Sequence, residues 1–483
     1  MPRTCRRALV FLLGCSLACA AHAADPAPPA PPVWPAPKQV FTLQPDHTLD
    51  GAKIPHAPGD VFALSEKART LRILNFKGNS ERPVAFVNAG LVDVANDDRG
   101  FAIAVQGCLH VRLSGSGPVP EAQRSKDPHA ARCGIRASAT KKGMMAIHVN
   151  GKSSDIEVDG LEVYGAGFAG FNVKDEPNPD GSTKRDTFTM FNIAIHDNYV
   201  HDVEGEGFYI GHTFYGGYDH KPSGKTLMPH VIKGLRLYNN RTFNTGCEGI
   251  QVGSTVEDCE IYNNTLIKFG QRPFAQWQDN GMQIGGGTQA KVYNNYLEEG
   301  PGCALTIHGL GELAFFNNTL VKSGGPGAYV NTKEGASYLF AHNTIVNCGG
   351  DGLRIGNFKD PPAAMRLYNN LIVREKQDQN RFIANLNPKA KLEEGGNVTL
   401  IGLAAAGFKN PAQGDYRPAD LPALRATVPV PQFAWTADQA GLQRPKGRAP
   451  LAGAHEPPAP AAPAYGPGAP LAAHPPTPWK NKR

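Results

Sequence analysis

The sequence has no C-x-x-C pair, so it lacks the usual framework of a cysteine-bound zinc site. It has no basic run and no nucleic-acid-binding motif. Past the N-terminal segment, no apolar run is long enough to cross a bilayer. Charge of either sign is sparse: 19% of the 483 residues are charged, with 49 Lys and Arg against 43 Asp and Glu. The net charge of +6 is compatible with an anionic polymer as partner and does not demand one. Helical periodicity is also missing from the central part of the chain.

What is present instead is repetition. In residues 237–270, LYNNRTFNTGCEGIQVGSTVEDCEIYNNTLIKFG, one unit is complete and the next has begun. Asn240, Asn264, Asn295, Asn318, Asn343 and Asn370 fall in one column, and Asn198 and Gly160 extend it backwards. The longer intervals hold visible insertions at 174–187, 212–230 and 271–280. Without them a unit is about 23–24 residues, within the range of repeat architectures.

A second column checks the first. Ala146-Ile147-His148-Val149, Gly170-Phe171-Asn172-Val173, Gly207-Phe208-Tyr209-Ile210 and Gly249-Ile250-Gln251-Val252 share one pattern. It continues through Gly281-Met282-Gln283-Ile284, Ala304-Leu305-Thr306-Ile307, Gly327-Ala328-Tyr329-Val330 and Gly352-Leu353-Arg354-Ile355. Small, apolar, variable, apolar is the signature of a strand with one buried face. Units this short bury their apolar faces only by stacking. The expected fold is all-β, a single-stranded parallel β-helix.

The expected organisation is an export signal at 1–23, a Pro-rich linker at 24–50, the solenoid at 51–400, a closing segment at 401–456 and a Pro/Ala-rich disordered tail at 457–483. Arg3, Arg6 and Arg7 precede the apolar stretch 8–20, and Ala21-His22-Ala23 is a cleavage site. The protein is expected to be secreted or periplasmic. Leu12-Leu13-Gly14-Cys15 resembles a lipoprotein box, so lipid attachment at Cys15 is the alternative. Six of the nine cysteines lie past the signal, and export permits disulfides. Cys247 and Cys303 sit two coils apart, about 10 Å at strand spacing, beyond disulfide reach. No bridge is expected among Cys247, Cys259, Cys303 and Cys348, while a Cys108–Cys133 pair stays open.

The order Pro58-Gly59-Asp60, then Gly78 with Arg82-Pro83-Val84, then His110-Val111-Arg112-Leu113-Ser114-Gly115 resembles exported right-handed β-helix proteins of the pectin-lyase-like superfamily. The resemblance covers about residues 51–398. It implies a right-handed solenoid and a choice among lyases, hydrolases and epimerases of acidic polysaccharides or non-enzymatic adhesins. Glu204-Gly205-Glu206 with His212 loosely resembles the acidic pair and base of chondroitinase-B-like and alginate lyases, but no Lys follows at their spacing. Lys174, one coil earlier, is the substitute. Asp127-Pro128-His129 echoes alginate epimerases.

One Asn per coil points to a structural ladder of amides. The aromatics two places earlier, Tyr238, Tyr262, Tyr293, Phe316 and Tyr368, are expected to stack, with a sugar platform as the alternative. The variable positions of the second column point outward. His148, Asn172, Tyr209, Gln251, Gln283, Thr306, Tyr329 and Arg354 suit sugar hydroxyls, or form an ordinary solvated face. One residue before the small position lie Glu206, Glu248, Asn280 and Asp351. Glu206 and Glu248 in adjacent coils either share a proton, hold a cation or an Arg between them, or splay apart into water. Ca2+ is the candidate cofactor, with Glu206, Glu248 and Asn280 as ligands.

The insertions 174–187 and 212–230 leave the same strand end, so they form one wall carrying Tyr215, Tyr218 and Asp219. The expected site is a groove between them, above Asn172, Tyr209 and Gln251. Glu206 and Glu248 form its floor, and Lys174 and His212 its rim. His148, Gln283, Tyr215 and Tyr218 complete the substrate-binding set. The expected activity is β-elimination on a uronate-containing polysaccharide by a monomeric protein. Lys174 or His212 is the base, Tyr209 the acid and Glu206 the supporting carboxylate. A glycosidase using Glu206, Glu248 and Asp219, and a non-catalytic glycan-binding or surface β-helix, are the alternatives.

Overall fold

The computed structural model describes residues 33–356, 360–425, 427–430, 437–444 and 449–456. The expected export signal, the lipid-attachment alternative at Cys15 and the tail at 457–483 lie outside them. Three long sheets of 13, 12 and 12 strands dominate, and each neighbouring pair whose register is given runs parallel. Every full coil visits them in one order. In the coil that starts at Ser154–Asp159 (sheet 1), the chain turns into Leu161–Tyr164 (sheet 2), then Phe171–Val173 (sheet 3), and returns to sheet 1 at Thr189–His196. Each sheet is thus built by stacking one coil on the next, at about 4.8 Å per step. Among the described residues the only α-helix is Leu403–Ala406, and no helix is long and apolar enough to cross a membrane.

The turn between sheets 1 and 2 explains the Asn-Asn pairs. Its first residue takes positive φ at Asp197, Asn239, Asn263, Asn294, Asn317, His342 and Asn369, between 53° and 56°. Asn tolerates this left-handed conformation better than most residues. The second residue is the ladder. The Asn318 side-chain Nδ2 donates to the Val292 carbonyl at 2.9 Å and to Asn343 Oδ1 at 3.0 Å. Its own Oδ1 accepts from Asn295 N at 3.1 Å and Asn295 Nδ2 at 3.0 Å. The same pattern runs from Asn198 through Asn370 and on to Asn397. Gly160 does not belong to this column. Glu162 pairs with Tyr199, so Gly160 aligns with Asp197 and Leu161 with Asn198, to whose Oδ1 the Leu161 N–H donates at 3.0 Å.

The aromatic stack forms, but in two pieces. Tyr238, Tyr262, Tyr293 and Phe316 lie face to face at 4.7–4.9 Å. Ala341 then separates Phe316 from Tyr368. His196 extends the stack at its other end, 4.5 Å from Tyr238. Burial opposes its charge, but hydrogen bonds to Asp197 and Glu157 prevail and raise its pKa to about 9.

Two boundaries differ from expectation. Residues assigned to the linker at 24–50 contribute the strands Gln39–Thr42 and Asp46–Asp50, which pair with Val61–Ser65 and Thr70–Leu74. Leu43 and Leu49, buried in the core, and Phe41, packed against it, start the solenoid just after the Pro cluster. The segment at 401–456 does more than close the end. It runs back along sheet 2, where Tyr416, Leu424, Leu451 and Ala452 cover an outward apolar row of Ile267, Val321, Val346 and Val373. Gln439 donates to the Asn295 carbonyl and accepts from Thr319 Oγ1, several coils from the C-terminal end.

Two outcomes test this packing. Asn318→Ala strands buried turn groups in two neighbouring coils and should cost about 1–3 kcal/mol in denaturant unfolding, with the far-ultraviolet spectrum unchanged. The six described cysteines are all free. Mass spectrometry of protein alkylated without reduction should therefore find no bridged peptide among them, and a bridge within Cys247, Cys259, Cys303 and Cys348 would contradict the register.

Candidate functional site

Sheet 3 carries the outward polar row in strict register. His148 pairs with Asn172, Asn172 with Tyr209, Tyr209 with Gln251, and Gln251 with Gln283. Thr306, Tyr329 and Arg354 continue it. Flanking residues such as Phe171, Val173, Phe208 and Ile210 point into the core and are fully buried. The row is not an open face, however. Asn172, Tyr209, Gln251 and Thr306 are buried as well, because loops rise on both sides. Gln283 Nε2 donates to Gln251 Oε1 at 3.2 Å, while Asn172 Oδ1 and Thr306 Oγ1 have no hydrogen-bond partner.

One wall rises from the C-terminal ends of the strands. Lys174 follows Phe171–Val173, and its ammonium sits 3.9 Å from the centre of the Tyr209 ring. Glu176 Oε1 holds the same ammonium at 3.1 Å. Burial opposes the Glu176 charge, but Lys174 and His212 win and lower its pKa. His212 is buried, and burial followed by the Lys174 charge pushes its pKa down to about 4. Its Nε2 lies 3.2 Å from the Asp175 carbonyl, an acceptor only, so the neutral ring carries its proton there. The Nδ1 lone pair has no partner. His230 Nε2 accepts from the Asp175 N–H at 3.0 Å and fixes the loop.

The other wall rises from the N-terminal ends, and this is where the acids lie. Glu206 precedes Phe208–Ile210 and Glu248 precedes Ile250–Val252, at the end of the strands opposite Lys174 and His212. They are therefore not a floor between the insertions at 174–187 and 212–230. Polar side chains of sheet 3 make the floor, and the acids are enclosed at one edge of it. Glu206 is 1% exposed and Glu248 0%. Ligand atoms of Glu206, Cys247 and Glu248 all lie within 4.8 Å of one another, and one oxygen of each carboxylate has no partner. Burial, then the Glu206 charge, raises the Glu248 pKa to about 8. Burial raises Glu206 too, against the field of Lys174. Two carboxylates this close share one proton near neutral pH.

Calcium does not fit this arrangement. The ion takes about six to eight oxygens, whereas two free carboxylate oxygens and a thiol converge here. Asn280, the expected third ligand, turns its Nδ2 toward Glu248 Oε1 at 3.4 Å and to the Trp277 carbonyl at 2.7 Å. Its Oδ1 accepts the Cys303 N–H at 3.1 Å. The second acidic group, Glu157, Asp159 and His196 on sheet 1, is occupied by Arg112, Ser114 and Asp197.

Tyr215 lies against Gly286 and Gly287 and under the Arg185 guanidinium, and Tyr218 pairs with Leu227 in a hairpin; neither contact involves the polar row. His148 is half-buried beside Phe101. Three aromatics were not anticipated. Phe168 stands edge-on to Tyr209 at 6.1 Å and stacks on Phe274 at 6.2 Å. Phe274 and Trp277 come from the insertion 271–280, whose length was visible in the sequence but whose place beside the acids was not. Another concave surface, on sheet 1, is lined by Glu260, Lys291, Glu312 and Arg366; Lys291 pairs with Glu260 and Arg366 with Glu393.

The described residues fold as a right-handed parallel β-helix. Residues 232–387 match the family described as right handed beta helix region. No curated protein matches the sequence. Similar solved structures include a GH136 lacto-N-biosidase from Eubacterium ramulus, with 12% identity, a TM-score of 0.43 and 72% of this chain covered. This chain spans 63% of that one, less than two thirds of its length. Pectate lyase Pel9A has 12% identity and a TM-score of 0.43, with 88% of this chain and 97% of that chain covered. The A-module of the Azotobacter vinelandii mannuronan C-5 epimerase AlgE4 has 13% identity and a TM-score of 0.41, with 71% and 87% covered.

The acid pair makes stability depend on pH with a definite sign. Between the ordinary value of 4.5 and about 8, unfolded Glu248 releases a proton that the folded state keeps. Stability falls as pH rises through that window. Glu248→Gln should flatten the fall, giving a thermal midpoint above wild type at pH 8 and closer to it at pH 4.5. Parallel profiles would show that the pair is not protonated as described.

Proposed function

We propose that the protein is carbohydrate-active and cleaves a uronate-containing polysaccharide by β-elimination across sheet 3. The observation that carries this reading is the Lys174 ammonium, set on the Tyr209 ring in the middle of a row of amide side chains. An ammonium held there meets the carboxylate of a uronate, and the amides meet its hydroxyls. Neutralising that carboxylate acidifies the adjacent C5–H. His212, neutral and with a free Nδ1 lone pair, takes the C5 proton once the wall opens. The C4–O4 bond then breaks, a C4–C5 double bond forms, and the Tyr209 hydroxyl protonates the departing oxygen. Lys174 thus serves recognition rather than proton abstraction. The proton shared by Glu206 and Glu248 leaves the N-terminal edge of the groove with one negative charge rather than two toward an anionic chain. Export, on the strength of residues 1–23, would place the protein with such polymers.

The enclosure of His212 and Glu206 favours a second reading, a glycan-binding β-helix without catalysis. One assay separates the two. Mature protein is incubated with a panel of uronate polymers, with and without chelator, and unsaturated product is followed by its ultraviolet absorbance. Product should form, and the chelator should leave the rate unchanged. His212→Ala should lower kcat by about 100-fold or more, and Lys174→Ala should mainly raise KM, both with unchanged thermal midpoints. Binding of a uronate polymer without product under any metal condition would remove the lyase reading and leave the binding module.

A further inference from the structure

Among the described residues, exposed aromatic side chains are confined to the loops around sheet 3. Among the described residues, three large aromatics are exposed: Phe214 at 57%, Phe274 at 48% and Trp277 at 75%. Phe214 lies in the insertion 212–230, and Phe274 and Trp277 lie in 271–280. None lies on the outward face of sheet 1 or sheet 2. A tryptophan three-quarters in water is costly to keep unless something covers it. Trp277 also has φ of 71°, a left-handed conformation that is an outlier for a bulky residue. Asn280 Nδ2 holds the Trp277 carbonyl at 2.7 Å, and the same Nδ2 faces Glu248. The root of the loop is also anchored: the Gln271 and Arg272 N–H groups donate to the Thr245 and Gly246 carbonyls. A ring is therefore displayed deliberately, from a fixed loop, beside the acid pair. Phe274, three residues earlier in the same loop, stacks on Phe168, which stands edge-on to Tyr209, so this loop's aromatic side chains reach the polar row.

We infer that Phe274 and Trp277 form a sugar-stacking subsite at the edge of sheet 3, taking the apolar C–H face of a pyranose in the same polysaccharide chain that crosses the polar row. The inference rests on the glycan reading of that row, but not on catalysis. The occupant follows from continuity. A pyranose presents hydroxyls at its rim and C–H groups on its faces, which matches amides in the floor and aromatic faces at the edge. An apolar peptide would leave Asn172 Oδ1 and the Gln251–Gln283 amides facing nonpolar groups.

The test is calorimetric titration of wild type, Trp277→Ala, Trp277→Phe and Phe274→Ala. The probes are oligogalacturonate, oligoalginate and chondroitin oligosaccharides, together with neutral cello- and lacto-oligosaccharides. Thermal midpoints are measured alongside. Trp277→Ala should weaken binding about tenfold, while Trp277→Phe should keep most of it. Phe274→Ala should weaken it in the same direction. In an active enzyme the loss at Trp277 should fall on KM with kcat nearly unchanged. Undiminished binding by a folded Trp277→Ala protein overturns the subsite while leaving the proposed function in place. Binding that depends on Trp277 without any product leaves the subsite and removes the lyase. Failure of wild type to bind every probe overturns both.

Discussion

Each buried asparagine at the turn between sheets 1 and 2 ties three coils together. Asn318 donates to a carbonyl of the coil before it and to the amide oxygen of the coil after it. No coil can satisfy these groups alone, and none has a closed core of its own. Apolar side chains such as Phe208, Ile250 and Met282 belong to one core that runs continuously through successive coils. Folding and axial order are therefore the same event. The functional consequence is registry. Side chains at matching positions repeat at one strand spacing, on a backbone that cannot slip by a residue without moving every Asn out of the ladder.

The three faces of the solenoid are used differently. Sheet 2 presents an apolar outward row and is covered by the C-terminal segment. Sheet 1 presents aromatic stacks and ion pairs that satisfy one another. Sheet 3 and its loops hold buried, unpartnered polar atoms at Asn172, Thr306, His212, Glu206 and Glu248, and the other sheets hold some too, Tyr262 on sheet 1 and Thr242 on sheet 2 among them. Unmade hydrogen bonds in enclosed places destabilise a fold. On sheet 3 the unpartnered atoms lie between walls built from the long insertions, and two of them belong to a pair of neighbouring carboxylates. The acids contribute through a shared proton, the lysine through a held ammonium and the histidine through a free lone pair. Tyr209 stands between Lys174 and Phe168 and joins the two walls.

The solenoid was legible in the sequence because its periodicity is chemically forced. A left-handed residue followed by a ladder amide leaves a signature such as Asn317-Asn318 in every coil. The places where that reading slipped are informative. Gly160 and Gly396, both with positive φ, fill the left-handed position, so the ladder residue is the next one, Leu161 or Asn397. The outward column on sheet 3 was also visible, because alternation fixes which side chains leave the core. Their burial was not, since it depends on how the loops fold back. Glu206 and Glu248 were assigned to the right coils but as a floor beneath Lys174 and His212, whereas they stand at the opposite end of the strands. Spacing alone does not say which wall a loop joins. Asn280 counted as an oxygen ligand until its Oδ1 was seen to accept the Cys303 N–H.

The central claim is that glycan recognition occurs on sheet 3. Amide hydrogen exchange of the mature protein, with and without saturating uronate oligosaccharide, tests it most directly. The account predicts added protection in 168–176, 205–215, 246–252 and 271–284, with sheet 1 unchanged. Protection centred on the sheet 1 surface around Glu260, Lys291 and Arg366, with none on sheet 3, would contradict it.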